Sequence, residues 1–423
     1  MQCQVIEARY RELTSGSARA FSEARRWLPG GSSRQAGYWH PYPLTFVRGE
    51  ACYLWDLDGR RYIDLLGNYT ALVHGHAYPP IVAAARTRVD SGSCWAGNNE
   101  EQVQLARLLV KRVDSVAQVR FTNSGTEAAN LALMIARRWT GRDKVLMARG
   151  GYHGSLMEFE TGFGGATGPL TRIAQYGDLG EFQKVLSEQG NSIAAVFIEP
   201  VMGAGGVIPG DATFIEGVRQ AAHSAGALFV LDEVLTLRLA LGGRQGQLGV
   251  IPDLTLFGKM IGGGFPVGAV GGNQELLELF NPDQPRIFHT GTFNANPVTM
   301  AAGIASVEAL TADRIDQMDV LAEKLKAGLL QAAIKAGLAL SINHIGSIMN
   351  LFFSESSGTA YGRRDDGELM ARFHLAALNH GLFLAPRGLI ALSTVMTESI
   401  IDEVIERATD ALLDIASTGS RAD

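Results

Sequence analysis

Cysteine is scarce in this sequence, and the few cysteines are far apart. The chain of 423 residues contains Cys3, Cys52 and Cys94, and no Cys-x-x-Cys pair. An odd and widely spaced set argues against a disulfide framework and against a structural zinc site. It suits a reducing compartment, so we expect a cytoplasmic protein.

A strong charge excess and a long apolar run are also missing. Lysine and arginine number 37 against 43 aspartates and glutamates, which gives a formal charge of −6 without a basic tract. Nucleic acid and anionic membrane surfaces are therefore poor candidates as partners. No apolar run approaches the ~20 residues that span a bilayer, and residues 1–9 lack the basic and apolar regions of a secretory signal.

Several nucleotide and metal motifs are absent. No Gly-x-Gly-x-x-Gly opens a helix after a first strand, which argues against a nicotinamide-dependent dehydrogenase. No Gly-Lys-Ser/Thr follows the polar turn at Ser124, so the turn is not a nucleotide P-loop. His74 and His76 have no companion cysteine or carboxylate motif, so imidazoles that cap a turn are favoured over a metal site. We expect no bound metal.

An alternation of helices and apolar strands dominates the middle of the chain. Hydrophobic residues make up 46% of the sequence and charged residues 19%, which is enough for a sizeable core. From about residue 80 to 310 the pattern predicts a parallel sheet flanked by helices. The predicted strands are Gln118–Phe121, Lys144–Met147, Ala194–Ile198, Leu228–Leu231, Leu254–Phe257 and Val267–Val270.

The length predicts two domains or one elaborated α/β unit. After about residue 305 the pattern becomes that of a smaller α/β domain. Its predicted helices and strands lie near 314–336, 338–342, 348–353, 366–380, 389–393 and 398–416. We therefore predict a large domain at 66–305 and a small domain at 306–423, to which residues 1–65 contribute.

Polar residues follow several of the predicted strands. The Ser124–Thr126 turn, Glu199, Asp232 and Lys259 all stand where an apolar run ends. Because ligands bind beyond the carboxyl ends of the strands in such sheets, these residues are expected at one site.

Lys259 follows the strand at Leu254–Phe257 and precedes three glycines. A buried lysine becomes nucleophilic when its surroundings disfavour the ammonium form, and a Schiff base needs that neutral amine. Glycines allow backbone to approach a flat, phosphorylated ring, and Asp232 could keep a pyridine nitrogen protonated. A lysine paired with such an acid is typical of pyridoxal phosphate, whereas a lone lysine after a strand is most often a solvated loop residue.

The Ser124–Thr126 turn leads from a predicted strand into a helix. Backbone N–H groups and the helix dipole favour an anion there, so the turn is either a phosphate cup or a simple helix cap. Tyr152 and His153, which follow the next strand between glycines, could stack on a planar ring. Glu199 could contact the same cofactor or orient a neighbouring amide.

Taken together, these motifs resemble the class III (ω-type) aminotransferases of fold type I, over about residues 30–400. The motifs are Ser124-Gly125-Thr126-Glu127, Tyr152-His153-Gly154, Glu199-Pro200, Asp232-Glu233-Val234, Gly258-Lys259 and Gly291-Thr292-Phe293. The resemblance implies an α/β fold with a mostly parallel, seven-stranded type of sheet flanked by helices, plus a smaller α/β domain. Within the class, the sequence is most similar to the branch of β-phenylalanine aminotransferases and glutamate-1-semialdehyde aminomutases.

The resemblance also implies catalytic roles and a cofactor, pyridoxal 5′-phosphate. Lys259 would form the internal aldimine and move the proton, and Asp232 would pair with the pyridine nitrogen. Tyr152 would stack on the ring, with His153 and Glu199 close to the cofactor.

Phosphate binding links the resemblance to a homodimer. Ser124, Gly125 and Thr126 would hold the phosphate, joined by Thr292 of a second subunit. The active sites would then lie at the subunit interface.

Two arginines are the candidate substrate residues. Arg34 resembles the residue that binds the distal carboxylate of a β-amino acid, and Arg387 resembles the one that binds the carboxylate of a keto acid. A guanidinium fork suits both tasks, although Arg34 could also be an ordinary surface residue. Tyr69 would line the substrate site or pack in the core. Arg238 stands one position earlier than the arginine of many class III members, and its role stays open.

The implied reaction is a ping-pong transfer of an amino group from a β-amino acid, or a related ω-amino substrate, to 2-oxoglutarate or pyruvate. An aminomutase recycles its own amine, so Arg387 favours a transaminase over a glutamate-1-semialdehyde 2,1-aminomutase. A non-catalytic protein that binds pyridoxal phosphate is disfavoured because Lys259 and Asp232 are both present.

Overall fold

The computed structural model describes residues 3–156, 168–354 and 366–417. Its strands are β1 (Phe46–Glu50), β2 (Tyr53–Asp56), β3 (Arg61–Asp64), β4 (Gln118–Thr122), β5 (Lys144–Ala148), β6 (Thr171–Ala174), β7 (Ile193–Ile198), β8 (Val201–Met202), β9 (Ile208–Pro209), β10 (Leu228–Asp232), β11 (Leu254–Gly258), β12 (Gly268–Gly272), β13 (Ser341–Ile345), β14 (Ile348–Phe352), β15 (Leu382–Phe383) and β16 (Leu389–Ala391).

The helices cover most of the remaining chain. They are α1 (Cys3–Leu13), α2 (Ser15–Ala24), α3 (Gly67–Thr70), α4 (Pro79–Asp90), α5 (Glu100–Arg112), α6 (Gly125–Thr140), α7 (Leu179–Gln189), α8 (Ala212–Ser224), α9 (Gly243–Leu248), α10 (Gln274–Leu277), α11 (Pro297–Ala309), α12 (Ala312–Lys335), α13 (Gly367–Asn379) and α14 (Glu398–Ser417). Short 3-10 turns lie at Pro29–Gly31, Gln35–Gly37, Gly190–Ser192, Leu237–Leu239, Lys259–Gly262 and Glu278–Phe280.

The described chain divides into two compact units. The first unit contains residues 3–78, 316–354 and 366–417, and the second unit contains residues 79–156 and 168–315. The domain assignment made from the sequence, with changes at 65/66 and 305/306, stays a prediction.

The second unit is built on a seven-stranded sheet in the order β4-β12-β11-β10-β7-β5-β6. Strand β12 runs antiparallel to both of its neighbours, and the other pairs are parallel. This mostly parallel sheet confirms the predicted fold class. All six predicted strands are present, each with ends shifted by at most two residues. The sequence pattern missed β6, a four-residue edge strand with a single large aliphatic side chain.

Successive residues of the central strands face two different hydrophobic clusters. Val145 and Met147 of β5 belong to the cluster that includes α6, whereas Leu146 and Ala148 belong to the cluster that includes α7 and α8. Because side chains alternate along a strand, a sheet covered on both faces needs a continuous apolar run. Because the central strands are buried on both faces, their continuous apolar runs could be recognised in the sequence.

The first unit contains two smaller sheets, in the orders β1-β2-β3-β15 and β13-β14-β16. Its core joins side chains of α1, α12, α13 and α14 to both sheets. Strand β13 begins at Ser341, three residues later than predicted. Gly337 has a left-handed φ of 68° and the Leu338 N–H bonds the Ala333 carbonyl, so Leu338 is the apolar residue of a helix C-cap rather than part of a strand.

Within the three described ranges, none of the helices is both long enough and apolar enough to cross a bilayer.

Candidate active site

Asp232 and Lys259 emerge from neighbouring strands at one edge of the sheet. Asp232 is the last residue of β10, and Lys259 directly follows β11. The two strands are parallel and pair Asp232 with Leu256, so their carboxyl ends coincide. Asp232 and Lys259 therefore both lie at the carboxyl ends of neighbouring strands in the second unit, as the sequence predicted.

The backbone at Lys259 is strained. Its φ is 51°, in the left-handed region that side chains with a Cβ rarely adopt. Such outliers persist only where the surroundings fix them, and they cluster at functional sites. The Lys259 side chain is half-buried rather than a solvated loop residue.

The glycines after Lys259 have a packing role. A Cβ at Gly263, which has a φ of 59°, would lie 2.6 Å from the Ala302 carbonyl oxygen of α11. The glycine run thus allows the Lys259–Gly262 turn to approach this helix closely. That contact accounts for Gly263 without an approach to a cofactor.

A buried histidine holds the Asp232 carboxylate. His153 Nδ1 lies 2.8 Å from Asp232 Oδ2, and Asp232 Oδ1 accepts a hydrogen bond from the Val234 N–H at 3.0 Å. Because a carboxylate only accepts, Nδ1 carries the proton. The structure thus puts His153 against the aspartate, where it fixes the orientation of the carboxyl group.

Glu199 is a second buried carboxylate at the same sheet edge. Its two oxygens accept hydrogen bonds from the backbone N–H groups of Tyr152 and Gly203, both at 3.0 Å. Burial raises the pKa of the Glu199 carboxyl, the nearby Asp232 raises it further, and His153 opposes the rise. Of the two alternatives that the sequence left open, a contact with neighbouring amides is seen here, those of Tyr152 and Gly203, and a contact with the cofactor stays a prediction.

The Ser124–Thr126 turn begins the 16-residue helix α6. Ser124 Oγ accepts from the Glu127 N–H at 3.1 Å, and Glu127 accepts in return from the Asn123 N–H at 2.8 Å. The arrangement resembles a capping box, except that Glu127 bonds the N–H of Asn123, one residue before the N-cap Ser124. It fixes a helix N-terminus, which favours an anion, at the end of β4. A helix cap and an anion site are therefore compatible here.

Val234 was not singled out from the sequence. An added Cβ at Gly125 would lie 3.4 Å from its Cγ atoms, and one at Gly258 would lie 3.2 Å from Cγ1. Val234 is thus close both to the start of α6 and to the residue before Lys259. The signal was available, since Val234 follows Asp232-Glu233 in a recognised motif.

Tyr152 presents its ring at this edge. Its side chain is 53% exposed, beside the buried His153, while its N–H is fixed by Glu199. We refer to Ser124, Gly125, Thr126, Tyr152, His153, Glu199, Asp232 and Lys259 as the cofactor cluster.

Thr292 lies on an exposed loop that is tied to the cofactor cluster's helix. Asn123 Nδ2, next to Ser124, donates to Asn294 Oδ1 at 2.8 Å. Arg120 of β4 donates to both the ring and the carbonyl of His289. The polar residues Asn123 and Asn294 carry no motif of their own, so sequence reasoning missed this connection.

Arg34, Tyr69 and Arg387 lie in the first unit and are close together. The Arg34 guanidinium carbon is 5.7 Å from the centre of the Tyr69 ring, and Arg34 Nη1 donates to Asn68 Oδ1 at 2.8 Å. Burial raises the pKa of the Tyr69 phenol, and the positive charges of Arg387 and Arg34 oppose that rise. We refer to Arg34, Asn68, Tyr69 and Arg387 as the arginine cluster.

Two other candidates have structural surroundings. Arg238, whose role the sequence left open, is almost fully buried in the Leu237–Leu239 turn. His76 Nε2 lies 2.7 Å from Asp64 Oδ2, and His74 Nδ1 lies 2.8 Å from Thr394 Oγ1. The two histidines thus contact different partners within the first unit.

Comparison with known proteins identifies the family. Residues 35–416 match the family described as aminotransferase class-III. The β-phenylalanine transaminase of Variovorax paradoxus is 38% identical over 95% of this chain and 94% of its own length. The glutamate-1-semialdehyde 2,1-aminomutase of Roseiflexus castenholzii is 36% identical over 96% of this chain and 99% of its own.

Solved structures agree with these relatives. The structure of an ω-transaminase from Sphaerobacter thermophilus has a TM-score of 0.91 and 35% identity over 96% of this chain and 99% of its own. A transaminase structure with pyridoxal phosphate bound has a TM-score of 0.90 and 30% identity over the same shares of the two chains. The chain belongs to the class-III aminotransferases and is an enzyme that depends on pyridoxal 5′-phosphate.

Proposed function

We propose that this aminotransferase takes the amino group of a β-amino acid, or of a related ω-amino substrate, and transfers it to 2-oxoglutarate or pyruvate. The observation that carries the proposal is the arginine cluster, in which the positive charges of two guanidinium groups act on one half-buried phenol. Two positive charges suit a reaction with two carboxylate-bearing substrates. The similarity to a β-phenylalanine transaminase supports the choice of donor.

The residues of the cofactor cluster fit pyridoxal 5′-phosphate. A helix N-terminus with two hydroxyl residues suits a phosphate, and the half-exposed Tyr152 ring suits a planar partner. The buried carboxylate of Asp232, already fixed by His153, suits a protonated ring nitrogen. When bound, the cofactor supplies a carbonyl carbon that carries the amino group and a ring that draws electrons from the reacting carbon.

The roles of the chain's own residues follow from their positions. Lys259 Nζ is the proposed attachment point for the cofactor, and it accepts and returns the proton of the reacting carbon. Ser124, Gly125 and Thr126 hold the phosphate. Glu199 acts through the Tyr152 N–H, so we propose it as a positioning residue for the ring of Tyr152.

The arginine cluster is the proposed reader of carboxylates. Arg34 binds the distal carboxylate of the β-amino acid, and Arg387 binds the carboxylate of the keto acid. Tyr69 packs against the first guanidinium. A planar fork of N–H donors gives each arginine a bidentate fit to its substrate.

A homodimer is part of the proposal, with Thr292 of one copy completing the phosphate site of the other. The segment around Trp95 is joined to the segment around Thr292 by a hydrogen bond from Asn296 Nδ2 to the Ser93 carbonyl at 2.7 Å. In the segment around Thr292, Phe288 is 84% exposed and Phe293 is 60% exposed. Large apolar side chains exposed to this extent suit a protein contact. We also propose a cytoplasmic location, which the free thiols of Cys52 and Cys94 support.

A second candidate is a glutamate-1-semialdehyde-type aminomutase, because such an enzyme is 36% identical to this chain. The two functions differ in their need for a keto acid. We expect the purified enzyme to form more than one equivalent of an aromatic keto acid per active site from β-phenylalanine, together with glutamate or alanine, only when 2-oxoglutarate or pyruvate is added. Arg387→Ala should raise the KM of the keto acid.

Two outcomes would contradict parts of this proposal. Rearrangement of glutamate-1-semialdehyde without any keto acid would make the enzyme an aminomutase. Full activity of Arg387→Ala toward keto acids would remove the assigned acceptor site.

A further inference from the structure

Residues Gly67–Thr70 form a left-handed turn. Their φ angles are 53°, 50°, 56° and 74°, so four successive residues have positive φ, and three of them are not glycine. Asparagine tolerates this conformation, but an aromatic and a β-branched residue do not. The turn is therefore strained at Tyr69 and Thr70.

The Asp64 side chain and the backbone that follows the turn hold it in place. Asp64 Oδ1 accepts from the N–H groups of Leu66 and Gly67, at 2.8 and 3.0 Å, and Asp64 Oδ2 contacts His76. On the other side, the Leu72 N–H donates to the Gly67 carbonyl at 2.9 Å. A conformation held from both ends is a built feature rather than a loose loop.

The two residues at the centre of the turn both contact the loop that carries Arg34. Asn68 Oδ1 accepts from Arg34 Nη1 at 2.8 Å, and the Arg34 guanidinium lies over the Tyr69 ring. The Tyr69 hydroxyl donates to the Ala36 carbonyl. Arg34 and Asn68 are exposed, and an exposed polar pair contributes little to stability. The contact between Arg34 and Asn68 is therefore not accounted for by folding alone.

The chemistry of Asn68 suits an arginine that must bind an anion. One Nη1 N–H is used by the amide oxygen, which leaves the Nε and Nη2 edge of the fork for a carboxylate. The amide is neutral, so it orients the guanidinium without cancelling its charge. An aspartate would hold the arginine equally well but would compete with the substrate.

We propose that Asn68 is a positioning residue that fixes the Arg34 guanidinium for the carboxylate of the amino donor. This inference rests on the proposed function, because Arg34 is assigned there to the donor carboxylate. A freely rotating arginine loses side-chain entropy when it binds. Because the left-handed turn holds Asn68 against Arg34, the guanidinium is already ordered before the substrate binds.

The test compares two donors and several variants of the holoenzyme. The donors are β-phenylalanine and α-ethylbenzylamine, an amine of similar shape that has no carboxylate. Asn68→Gly keeps the left-handed backbone and removes the amide. We expect it to raise the KM of β-phenylalanine by about tenfold, with kcat and the KM of the amine within about twofold. Asn68→Asp should raise the KM of β-phenylalanine further, because its charge competes with the substrate.

Ala77→Gly is the matched control, since Ala77 also has a positive φ, 48°, in the same unit. It should leave both KM values unchanged. In an Arg34→Ala background, Asn68→Gly should have no further effect.

The outcomes separate the inference from the function on which it rests. If Arg34→Ala leaves the KM of β-phenylalanine unchanged, the proposed donor site is wrong. If Arg34→Ala raises that KM but Asn68→Gly does not, only the positioning role of Asn68 is wrong. If Asn68→Gly impairs both donors equally, Asn68 supports the fold and the inference is also overturned.

Discussion

The cofactor cluster and the arginine cluster are built in opposite ways. The first uses ends of buried strands, where Asp232 and Glu199 are almost fully enclosed and each oxygen has a backbone or imidazole donor. The second uses exposed loop residues and a strained turn. Under the proposed function, chemistry that is shared by the enzyme class would be held by the sheet, whereas recognition of one substrate would be left to loops that can change without loss of the fold.

The largest expected effect concerns Lys259. If the cofactor cluster carries the chemistry, Lys259→Ala should lower kcat by about 10⁴-fold or more, because both the attachment point and the proton carrier are lost. Lys184→Ala on the surface of α7 is the control and should have the activity of the parent. Product formation measured by chromatography is the readout. Substantial activity in Lys259→Ala would remove the cofactor cluster from catalysis.

A smaller effect on stability is expected at His153. His153→Leu would leave the buried Asp232 Oδ2 without its imidazole donor, which should lower the free energy of unfolding by about 1–3 kcal/mol. Urea denaturation at pH 7 measures the change. Unaltered stability would mean that the histidine does not hold the carboxylate.

A histidine-to-leucine substitution in the first unit, at His374, should instead raise the free energy of unfolding at acidic pH. His374 is buried in α13, and neither of its ring nitrogens has a hydrogen-bond partner among the described residues. Burial lowers the pKa of His374 from 6.5 to about 3. Below pH 6.5 the unfolded chain therefore binds a proton that the folded chain excludes, and stability falls as pH drops toward 3.

His374→Leu should remove this pH dependence. Between pH 6.5 and 5 the parent should lose up to ~2 kcal/mol more stability than the variant, since the limit is about 1.4 kcal/mol per pH unit for one group. Denaturation curves at the two pH values provide the measurement. Parallel losses in both proteins would show that His374 titrates normally.

The smallest expected effect concerns the loop of Thr292. Asn294→Ala removes the hydrogen bond from Asn123 at the start of α6, and we expect the Kd of pyridoxal phosphate for the apoenzyme to rise about fivefold. Asn130→Ala, on the exposed face of the same helix, is the control. Equal affinity in both variants would disconnect this loop from the phosphate site.

The sequence predicted the cofactor cluster better than the arginine cluster for a physical reason. Doubly buried strands must be continuously apolar, so polar residues at their ends stand out, as Asp232 and Lys259 do. The position of Asn68 depends instead on a left-handed turn that is held by the Asp64 side chain, which in turn contacts His76. The sequence predicted that the imidazoles of His74 and His76 cap a turn, but it carried no signal that linked them to Asn68. The glycines after Lys259 were expected to let backbone approach a cofactor ring, which stays a prediction, whereas the close approach seen in the structure is that of Gly263 to α11.

The central claim is that Lys259 and a β-amino acid meet through pyridoxal phosphate in one catalytic cycle. The most direct measurement is the visible absorption spectrum of the purified protein during sequential additions. The account predicts a cofactor band that is absent from Lys259→Ala, that bleaches with β-phenylalanine and that returns with 2-oxoglutarate or pyruvate. A band that no β-amino acid bleaches would contradict the proposed donor, and a protein that stays colourless with added pyridoxal phosphate would contradict the whole account.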